Sequence, residues 1–235
     1  MTSITQPKRR CLGFMTIAML ISANANAVSD FQVWLPININ AKLSAHWRGF
    51  LEFQPRVGND AENLTSMIVR PAIGWAVNDK ATFWLGYLMS ADTVSLDSDT
   101  YRIENRAFQG FSWRDTANDK QFIWEVRNRL EERFLPRNAD PSIRWRTRLR
   151  VEQLLPNSPW SIIASEEIFI NLNDNQNNAQ LQSGAQQNRL YLGVGYRFAP
   201  QVQVETGYLY QHVWRNQPSV DQDNNIWMSN LNLNF

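Results

Sequence analysis

Charged side chains recur at every second position along several segments of this chain. The two densest series run from Glu125 to Arg133 and from Arg144 to Glu152, and most of their charges are arginine and glutamate. Because successive side chains of a β-strand point to opposite faces, each series places its charges on one face. The planar guanidinium of arginine can donate two parallel hydrogen bonds to a carboxylate or a phosphate. The spacing therefore predicts a charged face built from Arg–Glu pairs.

Two interpretations of this face remain open. Its glutamates could hold its arginines in ladders that bridge and stiffen a narrow barrel lumen, which is the interpretation we favour. Alternatively, a surplus of arginine could attract an anionic solute, since rings of charge set selectivity in pores. The candidate anion-binding residues are Arg102, Arg106, Arg127, Arg129, Arg144, Arg146, Arg148 and Arg150, and their candidate partners are Glu104, Glu125, Glu131 and Glu152. The same face carries Arg48, Glu52, Arg56, Arg70, Arg133, Glu167, Arg189, Arg197 and Glu205.

Catalysis is a weaker alternative. A lipid hydrolase needs a nucleophile beside a base, usually serine with histidine. His46 shares the inward phase with Ser44, but no fixed motif surrounds them, and His212 falls in the outward phase near the end of its strand. The acidic loop from Asp92 to Asp99 lacks the glycine pattern of a dedicated calcium loop. We expect no enzymatic activity, no catalytic residue, no cofactor and no metal site.

The opposite face of the same segments is apolar and is predicted to contact lipid. Aromatic residues gather toward both ends of the segments, as headgroup boundaries favour. A soluble core of aromatic residues would share this periodicity, but it would not leave the other face so heavily charged. The predicted lipid-facing residues are Leu43, Ala45, Trp47, Leu51, Phe53, Phe83, Leu85, Tyr87, Phe122, Trp124, Val126, Leu130, Ile143, Trp145, Leu149, Val151, Leu190, Leu192, Val194, Tyr196 and Phe198.

These faces belong to a predicted all-β fold, an antiparallel up-and-down transmembrane barrel of about ten strands, with twelve as the alternative. Short and long connections alternate, which places the short turns on the periplasmic side and the long loops outside. Pro36 interrupts the segment Phe31 to Asn40, so we expect a lead-in there and not a strand, and we expect Pro55 and Pro71 at bulges. The predicted strands are Lys42 to Arg56, Leu64 to Val77, Ala81 to Ala91, Tyr101 to Trp113, Gln121 to Phe134, Ile143 to Leu155, Trp160 to Leu172, Asn188 to Phe198, Gln201 to Trp214 and Asn225 to Phe235.

Both ends of the chain predict export to the outer membrane. Three basic residues precede an apolar stretch that closes on Ala25-Asn26-Ala27, so residues 1–27 are expected to be a signal peptide and residues 28–235 the barrel. The last strand resembles the one that the bacterial barrel-assembly machinery recognises, with Trp227, Leu231, Leu233 and Phe235 on its outward face. The expected partners are outer-membrane lipid and that machinery. Without the three basic residues, 20 Lys and Arg remain against 22 Asp and Glu, which favours no nucleic-acid partner.

Several Arg-rich segments resemble the bacterial family of domain of unknown function 2490. They are Tyr101-Arg102-Ile103-Glu104-Asn105-Arg106, Trp124 to Glu131, Arg144 to Arg150 and Asn188 to Tyr196. The resemblance implies an outer-membrane barrel whose family has no settled activity. A fainter resemblance, in size and Arg-lined strands only, is to small monomeric porins for acidic oligosaccharides. The leading hypothesis is a structural or interaction barrel with a filled lumen, acting through the loop Asn173 to Gln187; an anion-selective porin is the alternative, and a lipid hydrolase comes third.

Overall fold

The computed structural model describes residues 27–95, 100–117, 121–136, 140–174, 181–216 and 219–235. The predicted signal peptide, with Lys8, Arg9 and Arg10, lies outside these ranges apart from Ala27, and so do Asp97, Asp99 and the middle of the loop after Asn173. In the described ranges, no helix is long and apolar enough to cross a membrane.

The chain folds into one sheet of twelve β-strands. Their bounds are β1 (Val28–Trp34), β2 (Ile37–Lys42), β3 (Trp47–Gly58), β4 (Asn63–Ala76), β5 (Ala81–Ser95), β6 (Thr100–Ala117), β7 (Phe122–Phe134), β8 (Ser142–Leu154), β9 (Trp160–Asn171), β10 (Gly184–Ala199), β11 (Val202–Val213) and β12 (Gln222–Asn234).

Strands β3 to β12 form the predicted meander. Each pairs antiparallel with the next along the chain, and the ten predicted segments correspond to these ten strands. Tight connections join β4 to β5 and β10 to β11 at one end of the barrel, which we call the short-turn end. The connections from β9 to β10 and from β11 to β12 lie at the opposite, long-loop end.

The prediction for residues 31–40 was wrong, because this segment is the strand that closes the barrel. β1 and β2 together fill one position between β12 and β3, which makes eleven positions. β1 pairs in parallel with β12 from Val28↔Gln222 to Trp34↔Met228, and β2 continues that pairing to Asn40↔Asn234. A closed sheet with an odd number of strands needs one parallel pair, and an odd barrel is known among membrane proteins.

Pro36 divides this closing strand without ending it. Proline removes only its own donor, and its carbonyl still accepts a hydrogen bond from the Leu231 amide at 2.9 Å. On the other side, the Leu35 amide donates to the Pro55 carbonyl at 3.1 Å. The neighbours therefore remain satisfied, and residue 28 lies at the long-loop end, opposite to the end expected if the segment were a lead-in.

Neither of the two other prolines lies at a bulge. Pro55 pairs in regular register with Met67, and the register of β3 against β4 shifts only between Arg56 and Val57, so this proline lies near a bulge and not at one as predicted. Pro71 pairs in regular register with Leu51 and does not lie at a bulge in the β3–β4 ladder. The β4–β5 ladder keeps one register from Val69↔Met89 to Ala72↔Gly86. The sheet therefore accommodates Pro71, which has no amide hydrogen to donate, without a bulge.

The outer face of the barrel is apolar, and the inner face carries the charged series together with a small apolar cluster around Trp34 and Ile226. Leu85 and Phe198 are 64% and 67% exposed on the outer face, whereas Glu131 is 1% exposed on the inner face. Trp75, Phe198 and Phe235 lie toward the short-turn end, and Phe134 and Trp145 lie toward the long-loop end. The alternation of the sequence therefore describes the two faces of the barrel wall, and the charged series lie within the lumen.

A disulfide would test the parallel closure. Ile39 and Leu233 are paired neighbours on the outer face, so cysteines at these two positions in a Cys11→Ser background are expected to oxidise to a disulfide. The matched control combines Leu233→Cys with Asn38→Cys, since Asn38 is inward and hydrogen-bonds Asn232. Non-reducing electrophoresis should show a cross-link in the first protein only, and equal cross-linking in both would contradict the register.

Candidate functional site

Strands β7 and β8 place like charges side by side on the inner face. Arg127 pairs with Arg148, and Arg129 pairs with Arg146, in the same antiparallel ladder. Like charges directly opposite each other destabilise a sheet. These four residues, which we call the arginine block, therefore need compensation from other strands or from a ligand.

A group of ion pairs lies on β6, β7 and β8 toward the long-loop end of the lumen. Glu131 accepts hydrogen bonds from Arg144 at 2.5 Å and from Arg146 at 3.3 Å. Glu104 accepts from Arg106 at 2.7 Å and from Arg133 at 2.6 Å. Glu104, Glu131, Arg133 and Arg144 are buried, and Arg106 is nearly so. These five residues lie on the adjacent strands β6, β7 and β8, and we call them the buried ion-pair layer.

A second set of ion pairs lies near the middle of the barrel. Glu167 binds Arg146 at 2.6 Å and stands 3.7 Å from both Arg127 and Arg189. Toward the short-turn end, Glu125 pairs with Arg148. Three of the four residues of the arginine block therefore have a carboxylate within 4.0 Å, and Arg127 and Arg146 share Glu167.

Arg129 is the exception within the arginine block. It is 6% exposed, and its guanidinium carbon lies 4.7 Å from the centre of the Phe108 ring. Among the residues that the structure describes, no carboxylate lies within 4.0 Å of its guanidinium, and its Nη1 atom has no hydrogen-bond partner. Burying a cation without a counter-ion costs free energy of folding. The burial of Arg129 is therefore not explained by a contribution to stability.

Cation–π stacking supports two further arginines. Arg56 lies 3.7 Å from the centre of the Trp34 ring and donates to the Gln54 side chain at 3.0 Å. Arg189 lies 4.8 Å from the same Trp34 ring and 4.7 Å from Phe169. The aromatic faces partly replace carboxylates here, because a guanidinium is attracted by the ring quadrupole.

A cavity of about 670 Å³ occupies the short-turn half of the lumen. Its mouth is lined by Lys42, Lys80, Pro200 and Phe235, and its inner end reaches the arginine block. Thirteen arginine and lysine side chains and six carboxylates line it, a formal excess of seven positive charges. None of the five residues of the buried ion-pair layer lines the cavity.

Asparagines cover the wall opposite the arginine block. Asn38 donates to Asn232 at 3.0 Å, and Asn40 donates to Asn234 at 3.2 Å, across the parallel seam between β2 and β12. Asn230, Asn232 and Asn234 of β12 line the cavity beside them. Asn38 and Asn40 were missed because their segment was taken as a lead-in, although its alternation of isoleucine and asparagine was visible.

The predicted site residues separate into three groups. Arg127, Arg129, Arg146, Arg148 and Arg150 line the cavity with Glu125 and Glu152. Arg106, Arg144, Glu104 and Glu131 belong to the buried ion-pair layer. Arg102 lies apart, exposed at the long-loop end and 3.8 Å from Asp92. The anion-binding role stays a prediction for the arginines that line the cavity, whereas Arg102, Arg106 and Arg144 do not line it.

Neither histidine forms a hydrolase site in the described part of the chain. The His46 ring stacks on Trp75 at 4.9 Å, and its Nδ1 atom lies 3.2 Å from the Ala76 carbonyl oxygen. His212 has the outward phase that was predicted, but it is buried, because Asp223 lies 2.6 Å from its Nδ1 atom and Trp214 packs against its ring. In these residues no imidazole nitrogen is hydrogen-bonded to a serine hydroxyl.

Comparison with known proteins relates the chain to a family. A family model described as protein of unknown function (DUF2490) matches residues 31–223. An uncharacterized protein of Methylorubrum extorquens is 31% identical over 222 residues, which cover 93% of this chain and 94% of the relative.

Proposed function

This chain belongs to the family of proteins of unknown function DUF2490, and from that premise we propose that it is an outer-membrane barrel with a blind lumen, that is, a lumen closed at one end. The barrel serves a structural or interaction role and does not conduct ions. The observation that carries the proposal is the buried ion-pair layer. Its carboxylates each bind at least two arginines, and such bidentate and shared pairs resist displacement by water.

The outer face supports a membrane location. It exposes large apolar side chains on strands all around the barrel, for example Leu51, Ile73, Leu85, Ile162 and Leu192. A soluble protein rarely leaves a continuous apolar surface of this extent in water. Aromatic residues near both ends match the two headgroup regions of a bilayer, and the last strand carries Trp227, Leu231, Leu233 and Phe235 outward.

The lumen supports a blind barrel over a pore. A pore requires a water path from end to end, whereas none of the residues of the buried ion-pair layer lines the cavity. Near the middle of the barrel, Arg146 is held between Glu167 and Glu131. The arginine excess in the cavity is the observation that favours the second candidate, a small anion-selective porin.

Single-channel recording distinguishes the two candidates. The full chain without its predicted signal peptide is refolded into detergent, shown to be folded by heat-modifiable electrophoretic mobility, and added to a planar bilayer under a salt gradient. We expect a silent bilayer. Steady anion-selective steps that shrink when Arg146 and Arg148 are replaced by glutamate would instead make the protein a porin.

A further inference from the structure

We propose that the cavity at the short-turn end is a binding site for a soluble multivalent oxyanion, a molecule that carries two or more phosphate or carboxylate groups. Arg127, Arg129, Arg146 and Arg148 are the residues that would hold it. Only the route of the ligand rests on the proposed function: with a lumen closed at one end, the ligand enters and leaves by the same mouth.

The first argument is the charge of the cavity wall. Its formal excess of seven positive charges faces a narrow space with protein walls, where field lines are focused and counter-ions are concentrated. A monovalent anion would leave most of this excess uncompensated. Two or more anionic groups on one molecule would neutralise several arginines at once.

The second argument is the arrangement of the arginine block. Two like-charged cross-strand pairs lie next to each other, although alternating Arg and Glu would have built a stable ladder, as Glu131↔Arg144 does in the next register. The structure therefore holds four guanidinium groups close together, although this arrangement is unfavourable for the stability of the sheet. Such a conflict with local rules is expected at a binding site.

The third argument is Arg129 itself. Its guanidinium lines the cavity and is buried, and Nη1 is without a partner in the described residues. Its neighbour Arg127 reaches the nearest carboxylate oxygen, on Glu167, only at 3.7 Å. An oxyanion between these two side chains would supply the hydrogen-bond acceptors that the protein itself does not provide.

The shape of the cavity fits a small solute. Its volume of about 670 Å³ lies within the range of roughly 300–1,000 Å³ that ligand sites occupy. The asparagine wall opposite the arginine block offers amides for uncharged hydroxyl groups. At the mouth, Lys42, Lys80 and Arg197 add positive charge that would draw an anion inward from the short-turn side.

Titration calorimetry tests the site with two probes, inorganic pyrophosphate and citrate, which represent the phosphate and carboxylate chemistries. The refolded full chain without its signal peptide is titrated in uncharged detergent at low ionic strength. We expect saturable 1:1 binding of at least one probe and no heat from sucrose. Binding should weaken with added salt, since guanidinium–oxyanion attraction is screened.

The decisive variant is Arg129→Gln. It removes a guanidinium that no carboxylate in the described residues requires, so the fold should survive, and binding should weaken about 10-fold or more, the effect of one charge-assisted hydrogen bond. Arg127→Gln is the second variant, because Glu167 retains Arg146 without it. The matched control is Arg102→Gln, which removes one arginine outside the cavity and should leave affinity unchanged.

The outcomes separate this proposal from the preceding one. Folded protein that binds neither pyrophosphate nor citrate overturns the anion site, and so does equal weakening by Arg129→Gln and Arg102→Gln, whether or not the bilayer is silent. Specific binding combined with steady conductance would keep the anion site and overturn the blind lumen.

Discussion

Replacing Glu131 by glutamine is expected to destabilise the barrel by about 3–5 kcal/mol. The Glu131 carboxylate is the acceptor for Arg144 and Arg146 and lies 3.9 Å from Arg106, and all three arginines stay behind in the variant. A neutral amide of the same shape leaves these cations buried without their counter-charge. The cost is therefore the desolvation of unpaired arginines, which exceeds what the intact ion pairs contribute to stability.

Urea unfolding of refolded protein in detergent measures this effect as a shift of the midpoint. Glu132→Gln is the matched control, since it makes the same chemical change one residue further along β7, on the exposed outer face. Its midpoint should not move. Equal midpoints for Glu131→Gln and the wild type would mean that the buried ion-pair layer does not hold the lumen together.

The orientation of almost every lumen residue could be predicted from the sequence. Alternation with a period of two is a local property of strands, and it assigned Arg129 and Glu131 to the inner face and Leu85 and Leu192 to the outer face without knowledge of the register. Strand number in the meander followed from the turns. Both properties depend on residues that are close in sequence.

The closing strand could not be predicted in this way. Pro36 is unfavourable for a strand by local rules, and the sequence does not show that Leu231 and Pro55 would satisfy its neighbours. Parallel pairing between β1 and β12 joins residues almost 200 positions apart. No local pattern encodes such a contact, and the lead-in predicted for residues 31–40 was wrong for that reason.

The partners in the ion pairs could not be predicted from the sequence either. Arg and Glu residues were expected to form ladders, but pairing within a lumen depends on register and on strands across the barrel. Arg150 on β8 binds Glu205 on β11 at 2.8 Å, three strands away, which no spacing indicates. Glu167 was assigned to the charged face without a partner, and the structure places it at the centre of three arginines.

Removing the aromatic ring of Phe235 is expected to abolish most membrane insertion in cells while leaving the folded barrel almost intact. The Phe235 backbone closes the seam with β2, since its amide donates to the Asn40 carbonyl at 2.8 Å and its carbonyl accepts from the Lys42 amide at 2.7 Å. Its side chain is 69% exposed on the outer face and contributes at most about 1.5–3 kcal/mol of lipid burial. Phe235→Ala therefore removes the predicted recognition signal and keeps the backbone hydrogen bonds, which a deletion of the residue would lose.

The comparison that isolates recognition is insertion in cells against refolding without any machinery. Phe235→Ala should refold into detergent to nearly the wild-type yield, yet the amount of heat-modifiable protein in the outer-membrane fraction should fall steeply. Phe235→Trp should restore that amount, because another aromatic side chain then ends the strand. Leu233→Ala serves as a control for lost outward apolar surface near the same end of β12.

If Phe235→Ala inserted at wild-type levels, the terminal aromatic residue would not be the assembly signal. If it failed equally in cells and in detergent, the ring would act through stability of the seam, and the case for recognition of the last strand would fall with it.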